Sequence, residues 1–214
     1  MSTIDKIASE ELVAELLDVG RSKTFEPGER VFSEGETAEF LPIVLSGSVK
    51  VVRSLDEGKE VIINVFRNGE IFAIPPVIDG KRYPATAIAM ETSSLLLIFR
   101  QDFLKLQENS EEFAAMTIER MCGLLRETTA SLANLVASSP EIRVGNVLIR
   151  LARKEDTTPV KILLRRQDIA DMAGLTTETT IRTVRRLADK GLLKIVSGKI
   201  ILEDLELLTN HVSR

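Results

Sequence analysis

Residues 165–189, RRQDIADMAGLTTETTIRTVRRLAD, hold two helical patterns separated by a single glycine, an arrangement that few folds accommodate. The first pattern runs from about Arg166 to Ala173, with Ile169, Ala170 and Ala173 apolar and Gln167, Asp168 and Asp171 polar. Its small inner residues let two helices cross closely. Gly174 supplies the left-handed backbone that ends a helix, Leu175 anchors the turn, and Thr176 or Thr177 caps the next helix through a side-chain oxygen. Counted by helical period, Thr180, Thr183, Val184 and Leu187 face inward, and Thr177, Glu178, Ile181, Arg182 and Arg185 face outward. This is a helix-turn-helix pattern, and the outward set suits base edges. Arg can donate two hydrogen bonds to guanine in a major groove, and Glu one turn earlier can accept from a cytosine amino group. Glu178 and Arg182 are also spaced as an ordinary surface ion pair, and the surrounding turn pattern tips the reading toward DNA. Two short strands follow around Ser197-Gly198, which makes the motif winged; Lys199 beside the turn is placed either to touch phosphate or to be an ordinary solvated lysine on a hairpin.

The charge of the chain is distributed to match. Residues 1–139 carry 14 basic and 22 acidic groups, whereas residues 140–214 carry 14 and 10, so the basic part contains the helix-turn-helix. A local basic face is enough to attract phosphate, whatever the acidic total. No apolar run approaches the roughly 20 residues that a bilayer requires, and the N-terminus lacks a cationic start followed by an apolar stretch. One cysteine, Cys122, cannot form an internal disulfide, which points to a reducing cytoplasm. There is no Gly-x-Ser-x-Gly, no phosphate loop and no pair of histidines for a metal, so an enzyme is not expected.

From Phe25 to Phe99 the chain is a series of short β-like runs at 30–33, 41–45, 48–53, 61–66, 86–90 and 94–99. Turn signals punctuate them at Pro27-Gly28, Glu34-Gly35, Ser46-Gly47, Asp56-Glu57-Gly58, Asn68-Gly69 and Asp79-Gly80. Strands this short at this spacing predict a small antiparallel barrel or jelly roll. Beyond a short helix at 101–106, a long one is expected from Glu111 to about Ala137. Its apolar stripe of Phe113, Met116, Met121, Leu124, Thr128, Leu132, Leu135 and Val136 would either cover the barrel or pair with a second copy. Ser138-Ser139-Pro140 reads as a hinge, and 142–153 as a further amphipathic helix.

The segment FEPGERVFSEGETAEFLPIVLSGSVKVV followed by NGEIF resembles a cyclic-nucleotide-binding β-roll. Joined to the winged motif, it is similar to the Crp/Fnr family of bacterial transcription regulators over about residues 10 to 210. The resemblance implies an α+β chain with a jelly-roll-like β-roll sensor over 1–109, a dimerisation helix over 110–138 and a winged helix-turn-helix over 139–214. It implies a homodimer on double-stranded DNA, acting with RNA polymerase under the control of a small effector. It places Arg166, Gln167, Thr176, Thr177, Glu178, Thr179 and Arg182 at DNA-contacting positions. Thr177 stands where the cyclic AMP receptor branch has an arginine, which implies a half-site closer to TTGA than to GTGA. Ile181 departs from the usual small residue there and is placed either to touch a thymine methyl or to restrict docking.

In cyclic-AMP-binding relatives a Gly-Glu pair and an Arg with a small hydroxyl residue after it hold the ribose and cyclic phosphate. Gly69-Glu70, with Ile71 beside it, matches the first element. Arg82 is followed instead by Tyr83-Pro84, and the longer segment before it contains Pro75-Pro76, where proline lacks the backbone donor an anion uses. An alignment on Ala89 puts Tyr83 at the arginine position, and Thr128-Thr129 falls where the family contacts the base. The run Tyr83 to Ala87 resembles branches that respond to nitric oxide, oxygen limitation or redox state. An iron-sulfur cluster needs about four cysteines. Haem would have to use His211, far along the chain from the barrel, or else Cys122, Tyr83 or a methionine. Cys122 reads first as a buried small hydrophobe. The cofactor is therefore unknown: the effector is expected to be a small anion or nucleotide, with an effector-free regulator as the alternative. The rival function is a ligand-binding regulatory subunit whose C-terminal domain docks on protein.

Overall fold

Left-handed glycines end the N-terminal strands. Gly28, Gly35, Gly47 and Gly69 adopt φ between +80° and +87°, a conformation strained for residues with a side chain. Gly47 also has no room for a Cβ, which would sit 2.8 Å from Ser93 Cα. The computed structural model describes residues 9–54, 60–137, 139–152 and 159–212. The turn expected at Asp56-Glu57-Gly58, Ser138 of the expected hinge, Arg153 and the side chains of Leu135 and Val136 lie outside the described residues.

Between the turns run β1 (Arg21–Phe25), β2 (Arg30–Phe32), β3 (Phe40–Ser46), β4 (Ser48–Ser54), β5 (Glu60–Arg67), β6 (Thr86–Ala89) and β7 (Ser93–Phe99). They form two antiparallel sheets, ordered β1-β7-β3 and β2-β6-β4-β5. Side chains from both sheets meet in one core that includes Phe25, Phe32, Val44, Val49, Phe66 and Leu95. Four helices accompany this roll: α1 (Glu10–Val19), α2 (Ile74–Asp79), α3 (Arg100–Asn109) and α4 (Glu111–Ala137). Ser9 caps α1 by accepting the Leu12 N–H at 3.2 Å, and Leu12 and Leu16 enter the core. The backbone N–H and hydroxyl of Ser9 donate to the Glu112 carboxylate at 2.6 and 2.7 Å, which ties α1 to the start of α4.

The stripe expected on α4 divides between two faces. Phe113 is buried, and Met116, Met121 and Leu124 pack against the roll's core. Ile118, Leu125 and Leu132, seven residues apart, are instead 61%, 69% and 60% exposed. Cys122 is exposed between the first two, so it is not the buried hydrophobe expected. Its helical position faces away from the roll, and the single apolar stripe is really two.

The chain gathers into two compact units, residues 1–126 and 127–214. The second contains α5 (Pro140–Ala152), β8 (Val160–Ile162), α6 (Arg166–Ala173), α7 (Thr177–Asp189), β9 (Lys194–Val196), β10 (Lys199–Leu202) and α8 (Leu205–Val212). β8-β10-β9 form an antiparallel sheet. α5 buries Val144, Val147, Leu148 and Leu151, and a Cβ at Gly145 would overlap Val212 Cγ1, so the glycine lets α8 approach. Among the described residues no helix is long and apolar enough to cross a membrane.

Candidate nucleic-acid interface and sensor site

The two helices of the reading motif are set by local chemistry. α6 ends at Gly174, φ +60°, whose N–H donates to the Asp171 carbonyl at 3.2 Å, and the Leu175 N–H donates to the Ala170 carbonyl at 2.9 Å. Thr176 then caps α7 by accepting the Thr179 N–H at 3.2 Å. The period fixes which face enters the core: Thr180, Thr183, Val184 and Leu187 are buried, as the pattern predicts. Glu178, Arg182 and Arg185 are exposed, and Thr177, Thr179 and Ile181 half-buried. Glu178 and Arg182 form no ion pair with each other among the described residues, so each presents its polar end outward.

Around this face several expected contact residues also bond within the protein. Gln167 accepts from the Thr177 hydroxyl and donates from Nε2 to Asp171 at 2.7 Å, which links α6 to the start of α7. Arg166 reaches the wing, donating from Nη2 to the Gly198 carbonyl at 3.2 Å, and partial burial pulls its pKa down from the usual guanidinium value. Lys199 is exposed beside that turn. Asp168, read from the sequence only as polar, is buried and accepts the Arg165 N–H at 2.9 Å, an N3 carboxylate reaching back to the helix start.

In the β-roll, Gly69 turns the chain with φ +80° and donates to the Val44 carbonyl at 2.7 Å. Glu70 follows it. One carboxylate oxygen accepts the Arg67 N–H at 2.8 Å, and the other lies 3.1 Å from Arg120 Nη2 on α4. Arg120 Nε also donates to the Ile71 carbonyl at 3.3 Å, and its guanidinium stands 5.6 Å from the Phe66 ring centroid. Ile71 itself is buried and bridges Ile43 of β3. Arg120 carries no sequence motif, and only the packing of α4 on the roll brings it here.

Within the β-roll, Arg82 and Tyr83 do not converge on Glu70. Arg82 donates from Nη1 to the Gly35 carbonyl at 2.5 Å in an exposed position. Tyr83, expected at the effector site, is a core residue and 2% exposed. Its ring stacks on Phe32 at 3.7 Å between centroids, and its hydroxyl donates to the Phe40 carbonyl at 2.7 Å. Burial pushes its phenol up to about 12. Pro75 and Pro76 occupy the first turn of α2 and remove backbone donors there. Thr128 and Thr129 are exposed on α4. The only histidine, His211, meets Glu141 at 3.2 Å in the C-terminal unit.

Comparison with known proteins agrees with both halves. Residues 22–110 match the cyclic nucleotide-binding domain, and residues 142–210 match the Crp-like helix-turn-helix domain. The transcriptional activatory protein AadR of Rhodopseudomonas palustris is 30% identical over 183 residues, covering 83% of this chain and 75% of that protein. The cyclic AMP receptor protein of Thermus thermophilus is 28% identical over 186 residues, covering 87% and 85%. The structure of FixK2 from Bradyrhizobium japonicum superposes with a TM-score of 0.81 at 25% identity, covering 90% of this chain and 96% of that one. With a β-roll, a long helix and a winged helix-turn-helix in the family's order, the chain belongs to the Crp/Fnr family of transcription regulators.

Proposed function

We propose that this regulator acts as a homodimer that reads a palindromic TTGA-like site, with its β-roll (1–109) as sensor, residues 110–138 as dimerisation helix and 139–214 as DNA reader. The observation that carries the reading is on α7. Glu178 and Arg182 stand exposed one turn apart on a helix whose opposite face is buried, so their position is fixed while their polar ends are available. Thr176, Thr177, Thr179, Arg166, Gln167 and Lys199 surround them and position the domain on phosphate, and Glu178 and Arg182 specify bases. The exposed heptad of Ile118, Leu125 and Leu132 supports pairing of α4 with a second copy. Two-fold symmetry then sets two recognition helices into successive major grooves. RNA polymerase is the partner at the promoter.

The sensor takes an effector that differs from cyclic AMP. Gly69 and Glu70 suit a ribose, but the phosphate half does not fit: prolines stand at the start of α2, Arg82 is turned to Gly35, and Tyr83 is in the core. Fluorescence anisotropy on a TTGA/TCAA palindrome and a scrambled duplex, with and without cyclic AMP, tests both readings. Palindrome-specific binding indifferent to the nucleotide is expected. Arg182→Ala should cost about 1–3 kcal/mol on the palindrome. Equal loss on both duplexes would remove the base-reading role, and binding insensitive to salt would favour docking on protein.

A further inference from the structure

Two residues in the first turn of α5, Glu141 and Arg143, reach the far end and the central turn of the reading motif. Arg143 Nε donates to the Ala173 carbonyl at 2.7 Å and its Nη2 to the Gly174 carbonyl at 2.6 Å. These carbonyls close α6 and begin the turn into α7. The last carbonyls of a helix lack intrahelical donors and carry the negative end of its dipole, so a planar cationic fork is suited to them. Glu141 points to the other end of the motif. Its carboxylate accepts from Lys190 Nζ at 2.6 Å and from Arg186 Nη1 at 3.3 Å, where α7 ends, and meets His211 Nε2 of α8 at 3.2 Å. The Glu141 side chain is 16% exposed, so these charge-assisted bonds are partly shielded from water.

Burial of Thr180, Val184 and Leu187 decides which face of α7 points inward. The hydrophobic effect itself is non-directional, whereas hydrogen bonds have preferred directions and lengths. Bonds of fixed direction at the turn that leads into α7 and at its C-terminal end restrict sliding or rolling of the helix. We propose that Glu141 and Arg143 are positioning residues for base recognition, holding the axis and rotation of α7 from the first turn of α5. The inference rests on the reading that α7 specifies bases. Both side chains are engaged within the protein, so their loss degrades discrimination between sequences and leaves phosphate attraction in place.

The full-length variants Arg143→Lys, which keeps the charge and loses the fork, and Glu141→Gln, which keeps the shape and loses the charge, test this. Each is titrated by anisotropy onto the TTGA/TCAA palindrome and a scrambled duplex at matched salt, with hydrogen exchange of residues 174–189 measured on the free protein. Affinity for the palindrome should fall about tenfold or more in each, the size expected on losing charge-assisted bonds. Scrambled binding and its salt slope should hold within about twofold. Equal losses on both duplexes, or unchanged affinity for the palindrome, would overturn the proposal. Wild-type protein that binds the two duplexes equally would count against the operator reading alone, and the exchange data then decide. Faster exchange across α7 at unchanged melting temperature supports the anchors, and wild-type exchange in both variants overturns them.

Discussion

Arg120 Nη2 on α4 stands 3.1 Å from Glu70 Oε1, so the Gly69-Glu70 turn is tied to the long helix by an ion pair. The two side chains are 20% and 19% exposed, which leaves limited screening by water. A double-mutant cycle of Glu70→Gln and Arg120→Met in urea should show a coupling of about 1–2 kcal/mol. Additive losses would make the pair incidental to stability.

Tyr83 is the only tyrosine, and the chain has no tryptophan, so ultraviolet titration reports on this phenol alone. Burial raises it to about 12, with the Phe40 backbone bond opposing the shift in part. The unfolded phenol titrates near 10. Stability from the neutral buried ring is therefore complete below about pH 10 and is lost as pH rises through about 12. Absorbance near 295 nm should accordingly rise late, together with unfolding. Titration near 10 in the folded protein would contradict the buried placement.

Gly145→Ala places a methyl group against Val212 Cγ1, and a β-branched side chain at a helix end has few rotamers to yield. Overpacking at such a site costs about 1–3 kcal/mol. Thermal melting should show that loss, and Val212→Ala should recover part of it in the double variant. No loss would mean that α8 withdraws freely from α5.

Leu125 lies midway along the exposed heptad of α4, where in the proposed dimer a charge would face its own copy across a parallel seam. Leu125→Glu should give a monomer in sedimentation equilibrium, with the β-roll still folded by circular dichroism. Palindrome binding should weaken along with dimerisation. A dimer that survives Leu125→Glu and Leu132→Glu together would place the interface elsewhere.

Local rules made the reading motif legible. In α6 and α7 the glycine, the threonine cap and the 3.6-residue period all act within a few residues, and their bounds and inward set follow from sequence. The corners of the roll were legible for the same reason, through glycines that take positive φ. α1 has no expectation above, although Ser9, Glu10 and Glu11 ahead of Leu12 and Leu16 carry a start signal. α2 and α8 are short. β1 has four exposed residues before Phe25, and β8 only three residues, so neither shows an alternation that could be read.

The sequence alone determined the order of roll, long helix and winged motif, the outward set on α7 and the family, because each rests on near-neighbour periodicity and turn chemistry. Tertiary structure decided the division of α4 into a buried and an exposed face, the pairing of Arg120 with Glu70, and the burial of Tyr83. It also brought Arg143 to the turn between α6 and α7, and Glu141 to the C-terminal end of α7. Those relationships join residues tens of positions apart, and which partner a charge or a ring meets there depends on how whole elements pack, a choice that no local spacing encodes.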